Sequence, residues 1–224
     1  MILRDFQTLL GQIYGIDQCH DVYDFLVTDA ALLENLEAPN SARATEEKLL
    51  IHEQEDELGV LLYLNRELLD RLITRDPRRY LGKTNFADFC KVLEGISHFI
   101  YLAWNAKADK SVTLMEMEMQ AEVDKYIGAR VLLQQQASSS LGDSLFCRLF
   151  DNPAFDERLE PDELARYRDA SAYAGRYCLS LEKRFSHDDT SSPHFGLDMM
   201  RDLRAFYRLP QPGKVSHIQS ATFA

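Results

Sequence analysis

The sequence of 224 residues has few of the features that mark secreted proteins or common enzyme classes. Its four cysteines form neither a CxxC pair nor a Cys/His knuckle; they are Cys19, Cys90, Cys147 and Cys178. This spacing argues against a structural zinc site and against a secreted disulfide scaffold. The ten glycines are scattered, so the chain lacks a glycine-rich phosphate loop, and it also lacks a GxSxG motif.

Long apolar runs are also missing. The most apolar segment, Val92 to Trp104, is interrupted by Glu94 and His98 and is shorter than the ~20 residues of a membrane helix. The first residues, MILRDFQTLLG, do not resemble a signal peptide. We therefore expect a cytoplasmic protein without a membrane partner. The formal net charge of −11 argues against binding nucleic acid through a general positive field.

The most distinctive feature that is present is an asymmetry of charge. Residues 1–60 contain thirteen acids and three bases, which is a net charge of −10 out of −11 for the whole chain. Such a segment is typical of an acidic surface that meets a basic partner. We expect a basic surface, either of another protein or of a second copy of this chain, to contact Glu53, Glu55, Asp56 and Glu57.

Apolar residues recur at helical spacing through most of the chain, which predicts a bundle-like helical domain. The predicted helices are 3–14, 21–36, 66–74, 85–105, 113–136, 161–185 and 197–208. The segment 47–64 is open to two interpretations, a helix or a small β-hairpin ending in the apolar run Leu58–Leu64. The fold class is thus mainly α, with at most one small β element. One domain is predicted over 1–209, with a flexible joint at 137–140 and a frayed tail over 210–224.

Two pairs of side chains suggest a metal site. Glu94 and His98 are four residues apart, as are Glu118 and Glu122 on the next predicted helix, so each pair shares one helix face. Metal sites in helical bundles are assembled from carboxylates and histidines on facing helices. Carboxylate-bridged metal bundles, however, use the motif Glu-x-x-His, in which the two residues are three apart, and they use it twice. In this chain Glu94 and His98 are four apart, and the pair occurs once. A solvated ion pair of Glu94 with His98 and a solvated acidic face at Glu118 and Glu122 are therefore favoured over a metal site.

Asp124 is a further candidate, because it lies on an otherwise apolar helical row with Met117, Ala121 and Val131. A buried carboxylate needs a partner, and we expect either Arg130 or an arginine of the C-terminal helices. A structural ion pair is favoured over a catalytic role.

Three functions follow from these features. Because no catalytic constellation is complete, the preferred hypothesis is a non-catalytic interaction protein without a cofactor. The alternative is a metal-dependent enzyme built on Glu94, His98, Glu118 and Glu122, with or without Asp124. A third possibility is a small-molecule sensor whose pocket is lined by aromatic and methionine side chains, namely Tyr101, Trp104, Met115, Met117 and Met119.

Overall fold

Most of the chain is helical in a computed structural model that describes residues 1–17, 20–36, 45–54, 57–136, 158–185 and 196–222, together with 141, 144–151, 153, 155 and 156. The α-helices are α1 (Ile2–Tyr14), α2 (Ala30–Leu36), α3 (Arg66–Thr74), α4 (Phe86–Ala106), α5 (Leu114–Gln134), α6 (Pro161–Phe185), α7 (Leu197–Tyr207) and α8 (Gln211–Thr222). A 3₁₀ helix spans Val22–Phe25 and a short π-helix spans Cys147–Asp151. The predicted class, mainly α with a small β element, is confirmed.

The β element is a three-stranded sheet built on the predicted hairpin. Strands β2 (Glu47–Gln54) and β3 (Glu57–Leu64) pair antiparallel, from Glu47 opposite Leu64 to Gln54 opposite Glu57. A two-residue strand, β1 (Leu26–Val27), adds to the other edge of β3 in parallel. The hairpin interpretation of 47–64 is therefore correct.

Local sequence signals account for several helix ends. The Asn65 side chain accepts hydrogen bonds from the backbone N–H groups of Glu67 and Leu68, and Thr113 accepts one from Glu116. Both residues are N-caps that pair otherwise orphaned donors. Helix α1 ends at Gly15, which adopts a left-handed conformation with φ of 60°, as is common for glycine at this position.

The predicted helix over 21–36 is wrong in its first half. Asp21 accepts a hydrogen bond from the Tyr23 N–H and begins the 3₁₀ helix instead. Leu26 and Val27 then pair with Leu62 and Tyr63 of β3. Pairing with a strand distant in sequence outweighs local helical periodicity here, and the α-helix starts only after Asp29, which accepts from Ala31 N–H.

The C-terminal segment differs from the frayed tail that was predicted over 210–224, because residues 211–222 form α8. Pro212 lies in the first turn, where its missing N–H breaks no helical hydrogen bond. Lys214 and Ile218 are buried, and the Gln211 N–H donates to Glu116 Oε2 at 3.1 Å. The predicted joint at 137–140 lies outside the described residues, and the single domain over 1–209 stays a prediction.

Helix α4 lies between the sheet and α5, and this arrangement positions the polar residues described below. Gly95 allows the close approach of the sheet, because a Cβ there would lie 2.9 Å from Leu62 and 3.0 Å from Glu47. Gly128 does the same for α5, since its Cβ would lie 2.8 Å from Leu93. Helix α6 packs on the far side of α5. No helix in the described part of the chain combines the length and apolar character needed to cross a membrane.

Candidate metal centre

Carboxylates from three elements meet between α4 and α5, at the end of strand β2. Helical spacing of four places Glu94 and His98 on the face of α4 that meets α5. Glu118 and Glu122 face them from α5, and Glu47, the first residue of β2, lies across Gly95. We call this group the Glu–His cluster; it consists of Glu47, Glu94, His98, Glu118, Glu122 and Lys125.

Three members lie close enough to share one ion. One ligand atom from each of Glu94, His98 and Glu118 can be chosen so that all three lie within 4.8 Å of one another. The shortest separation between His98 and a carboxylate joins Nε2 to Glu118 Oε2 at 3.4 Å. On the other side of the ring, His98 Nδ1 is 4.0 Å from Glu47 Oε1.

The cluster is largely shielded from solvent, so the expectation of solvated side chains at these positions is wrong for His98 and Glu118. His98 and Glu118 are each 7% exposed. Buried polar atoms in proteins are nearly always hydrogen-bonded. His98 Nε2 and Glu47 Oε1 are exceptions, since they are buried and have no hydrogen-bond partner in the described residues.

Charge and burial compete in setting the pKa values of the cluster. Burial and the nearby carboxylates of Glu94 and Glu118 raise the pKa of Glu47 to about 8. Burial lowers the pKa of His98, but the carboxylates of Glu118, Glu47 and Glu94 outweigh burial and raise this pKa to about 9. Glu47 and His98 therefore keep their protons to a higher pH than usual, because several carboxylates lie close to both of them.

Lys125 supplies a cation at one side of the cluster. Its Nζ donates to Glu122 Oε1 at 2.6 Å and to Glu94 Oε2 at 3.1 Å. This contact explains why the pKa of Glu94 is lowered although burial opposes ionisation. Glu122 is thus paired with Lys125 and does not belong to the group of three that can share an ion.

Sequence reasoning missed two of the residues around His98. Glu47 lies in the predicted hairpin, but the sequence does not reveal that this hairpin packs against α4. Tyr167 of α6 lies beside Glu118, and burial together with the cluster's carboxylates raises the pKa of its phenol. The glycine at position 95 was the one local signal, because it permits a strand to pass close to the helix.

Asp124 belongs to a different group, and the predicted arginine partner is wrong. Its carboxylate accepts hydrogen bonds from Ser97 Oγ at 2.6 Å, from Gln120 Nε2 at 2.8 Å and from the Tyr14 hydroxyl. Arg130 instead donates to Glu182 at 2.9 Å. Burial raises the pKa of Asp124 to about 6 in spite of these donors. We call Tyr14, Ser97, Gln120, Asp124 and Lys214 the Asp124 network.

The acidic residues of the first quarter have mixed surroundings. Asp5 pairs with Arg78, Asp21 pairs with Arg4, and Glu46 pairs with Arg71 at 2.7 Å and with Lys91. The four acids that are predicted to contact a basic partner are not among these paired residues. Glu55 and Asp56 lie outside the described residues, and the description of Glu53 and Glu57 extends to the backbone alone. Docking through these four acids stays a prediction.

The residues proposed for a sensor pocket are divided between the core and a cavity. Met117, Met119 and Tyr101 are buried, and the Tyr101 hydroxyl donates to Glu116. Trp104 lines a cavity of about 570 Å³ with Phe25, Phe99 and other side chains, but the methionines do not line it. Comparison with known protein families, curated proteins and solved structures finds no match for this chain.

Proposed function

We propose that this protein binds one divalent transition-metal ion in the Glu–His cluster. The ligands are Glu94, His98 and Glu118, and Glu47 is a fourth donor. The observation that carries the proposal is the convergence of one ligand atom each from Glu94, His98 and Glu118 within 4.8 Å of one another in a largely buried site.

Distances within the cluster support a shared ion. Two donors bound at about 2.1 Å to a tetrahedral ion lie about 3.4 Å apart, and the separation between His98 Nε2 and Glu118 Oε2 is 3.4 Å. Donors on opposite sides of an ion lie about 4.2 Å apart at the same bond length. Since the three ligand atoms lie within 4.8 Å of one another, closing around an ion requires shifts of well under 1 Å.

The balance of charge points in the same direction. The Glu–His cluster contains four carboxylates against one lysine and one histidine. A histidine that ligates a metal is unprotonated, so with His98 neutral and the other groups ionised the cluster carries four negative charges against one positive charge. A divalent cation reduces this excess from three charges to one. Burying unpaired charge is costly, so a bound ion relieves a penalty that the protein alone meets by holding protons.

The mixture of ligand types indicates which ions fit. An imidazole nitrogen with two or three carboxylate oxygens suits Zn²⁺, Fe²⁺ or Mn²⁺. Calcium prefers six to eight oxygen ligands, and magnesium usually keeps several waters. We therefore expect zinc or manganese to bind more tightly than calcium or magnesium. The proposal concerns binding and assigns no reaction.

Calorimetric titration of chelator-treated protein with Zn²⁺ and with Mn²⁺ tests the proposal. We expect one ion per chain, and we expect His98→Ala and Glu118→Gln each to weaken binding at least about tenfold, the effect of losing one ligand's contribution. His52→Ala and Glu34→Gln are matched controls, because both residues are exposed. Failure of both ions to bind, or equal binding by the His98→Ala variant, overturns the proposal.

A further inference from the structure

A cavity of about 1050 Å³ opens on the side of the molecule formed by α3 and the segment that joins α3 to α4. Four arginines line it, namely Arg66, Arg75, Arg78 and Arg79, against two acids, Asp70 and Asp76. Its size is that of a small-molecule site. A concentration of arginines is notable in a chain whose net charge is −11.

Two of these guanidinium groups, those of Arg66 and Arg75, form no ion pair in the described part of the chain. Arg78 pairs with Asp76 at 2.6 Å and with Asp5. In contrast, Arg66 donates to the Thr28 hydroxyl at 2.9 Å and Arg75 donates to the Thr84 carbonyl at 3.3 Å. Arg79 has no side-chain hydrogen bond within the described part of the chain, and its charge adds to that of Arg78 in lowering the pKa of Asp76.

Apolar side chains complete the lining. Leu26 and Leu69 lie in the wall, and Ile73 and Tyr80 border the cavity with exposures of 62% and 48%. Large apolar side chains left this exposed are covered at little cost by the apolar part of a ligand. The cavity thus presents cations and an apolar surface to the same occupant.

We propose that this cavity binds a small phosphate monoester with an aromatic or short apolar body. The forked donors of Arg66, Arg75 and Arg79 suit the oxygens of a phosphate group, while Ile73 and Tyr80 contact the body. A compact anion fits better than a nucleic acid, because an extended polyanion is repelled by a chain whose net charge is −11. This site is independent of the metal centre.

Phenyl phosphate is the probe, and its binding is measured by calorimetry at low salt. We expect saturable binding in the millimolar range or tighter, and about tenfold weaker binding by Arg75→Gln and by Arg79→Gln, as expected for a charged hydrogen bond. Ile73→Ser is expected to weaken phenyl phosphate more than inorganic phosphate. The controls are Arg158→Gln and Arg201→Gln, since these arginines are exposed and pair with Asp156 and Asp198 elsewhere.

Two results contradict the proposal. One is the absence of saturable phenyl phosphate binding by the wild-type protein. The other is equal binding by the wild type and by an Arg75→Gln, Arg79→Gln double variant that melts at the same temperature as the wild type. Equal weakening in the Arg158→Gln control also overturns it, since the binding is then non-specific. The His98→Ala variant is expected to bind phenyl phosphate normally, so failure of the metal proposal leaves this one intact.

Discussion

Two groups of buried polar side chains lie on the same pair of helices, α4 and α5, and they differ in how completely they are paired. In the Asp124 network, Gln120 joins the Asp124 carboxylate to the Lys214 ammonium, with Nζ donating to Gln120 Oε1 at 2.7 Å. In the Glu–His cluster, His98 Nε2 and Glu47 Oε1 form no hydrogen bond within the described residues, and their nearest charged contacts are 3.4 Å and 4.0 Å long. One group is complete within the protein, whereas the other has a surplus of negative charge.

This difference in pairing distinguishes a structural role for the Asp124 network from a binding role for the Glu–His cluster. A buried polar network that is fully paired fixes one arrangement of the core. A buried group with unpaired atoms and excess charge costs stability unless something else supplies the missing partner. The same two helices therefore contain a network that needs no ligand and a cluster that a cation completes.

Asp124→Ala is expected to have the largest effect. It leaves the Tyr14 hydroxyl and Ser97 Oγ without their acceptor in the core and removes one of the two acceptors of Gln120 Nε2, which lowers the free energy of unfolding by about 3 kcal/mol. Urea denaturation measures this loss. The control Asp169→Ala removes an exposed carboxylate from α6 and is expected to change the same quantity by less than about 0.5 kcal/mol. A small effect of Asp124→Ala removes the distinction between the two groups.

A bound metal ion is expected to stabilise the protein through the Glu–His cluster. Zn²⁺ at about one hundred times its dissociation constant raises the free energy of unfolding by about 2.7 kcal/mol, because the ion binds the native state alone. Urea denaturation with and without the ion measures this gain. The His98→Ala variant is expected to show none of it. An equal gain in that variant places the ion elsewhere.

The sequence predicted the members of the cluster better than their surroundings. Spacing of four residues put Glu94 with His98 and Glu118 with Glu122, because helix geometry alone decides which side chains share a face. The burial of these side chains could not be predicted in this way. It depends on strand β2, which begins at Glu47, far from Glu94 in the sequence, and passes α4 at Gly95. For the same reason Glu47 was missed.

Long-range packing also explains the other differences. Asp124 was recognised as needing a partner, but its donors come from α1, α4 and its own helix, and no local pattern identifies Tyr14 or Ser97. The C-terminal helix was missed because its proline and glycine are typical of a tail. Its stability depends on Lys214 and Ile218, which are buried against distant elements.

Lys214 gives the Asp124 network a measurable dependence on pH. Burial lowers its pKa from 10.5 to about 7, although Glu116 and Asp124 oppose this shift. Between these two pH values the unfolded chain holds a proton on Lys214 that the folded chain lacks, so Lys214 contributes a rise in stability with pH of up to about 1.4 kcal/mol per unit. His98 and Glu47 contribute the opposite slope up to about pH 9 and pH 8, because the folded chain retains their protons. Urea denaturation of the wild type and of Lys214→Met from pH 7 to pH 10 gives the Lys214 contribution as the difference between the two slopes. The exposed control Lys83→Met is expected to keep the wild-type slope.

Glu47→Gln is expected to have the smallest effect on stability and the most informative sign. It removes a carboxyl group whose pKa is raised to about 8, so folding at neutral pH no longer has to protonate this group, and we expect the metal-free protein to be stabilised by about 1 kcal/mol. It also removes a donor and should weaken Zn²⁺ binding about tenfold. Denaturation and calorimetry on the same variant measure the two changes, and Glu34→Gln is expected to show neither. A cation-binding cluster requires that the variant be more stable without metal and bind Zn²⁺ more weakly. If Glu47→Gln instead lowers the stability of the metal-free protein, Glu47 belongs to a structural network like that of Asp124.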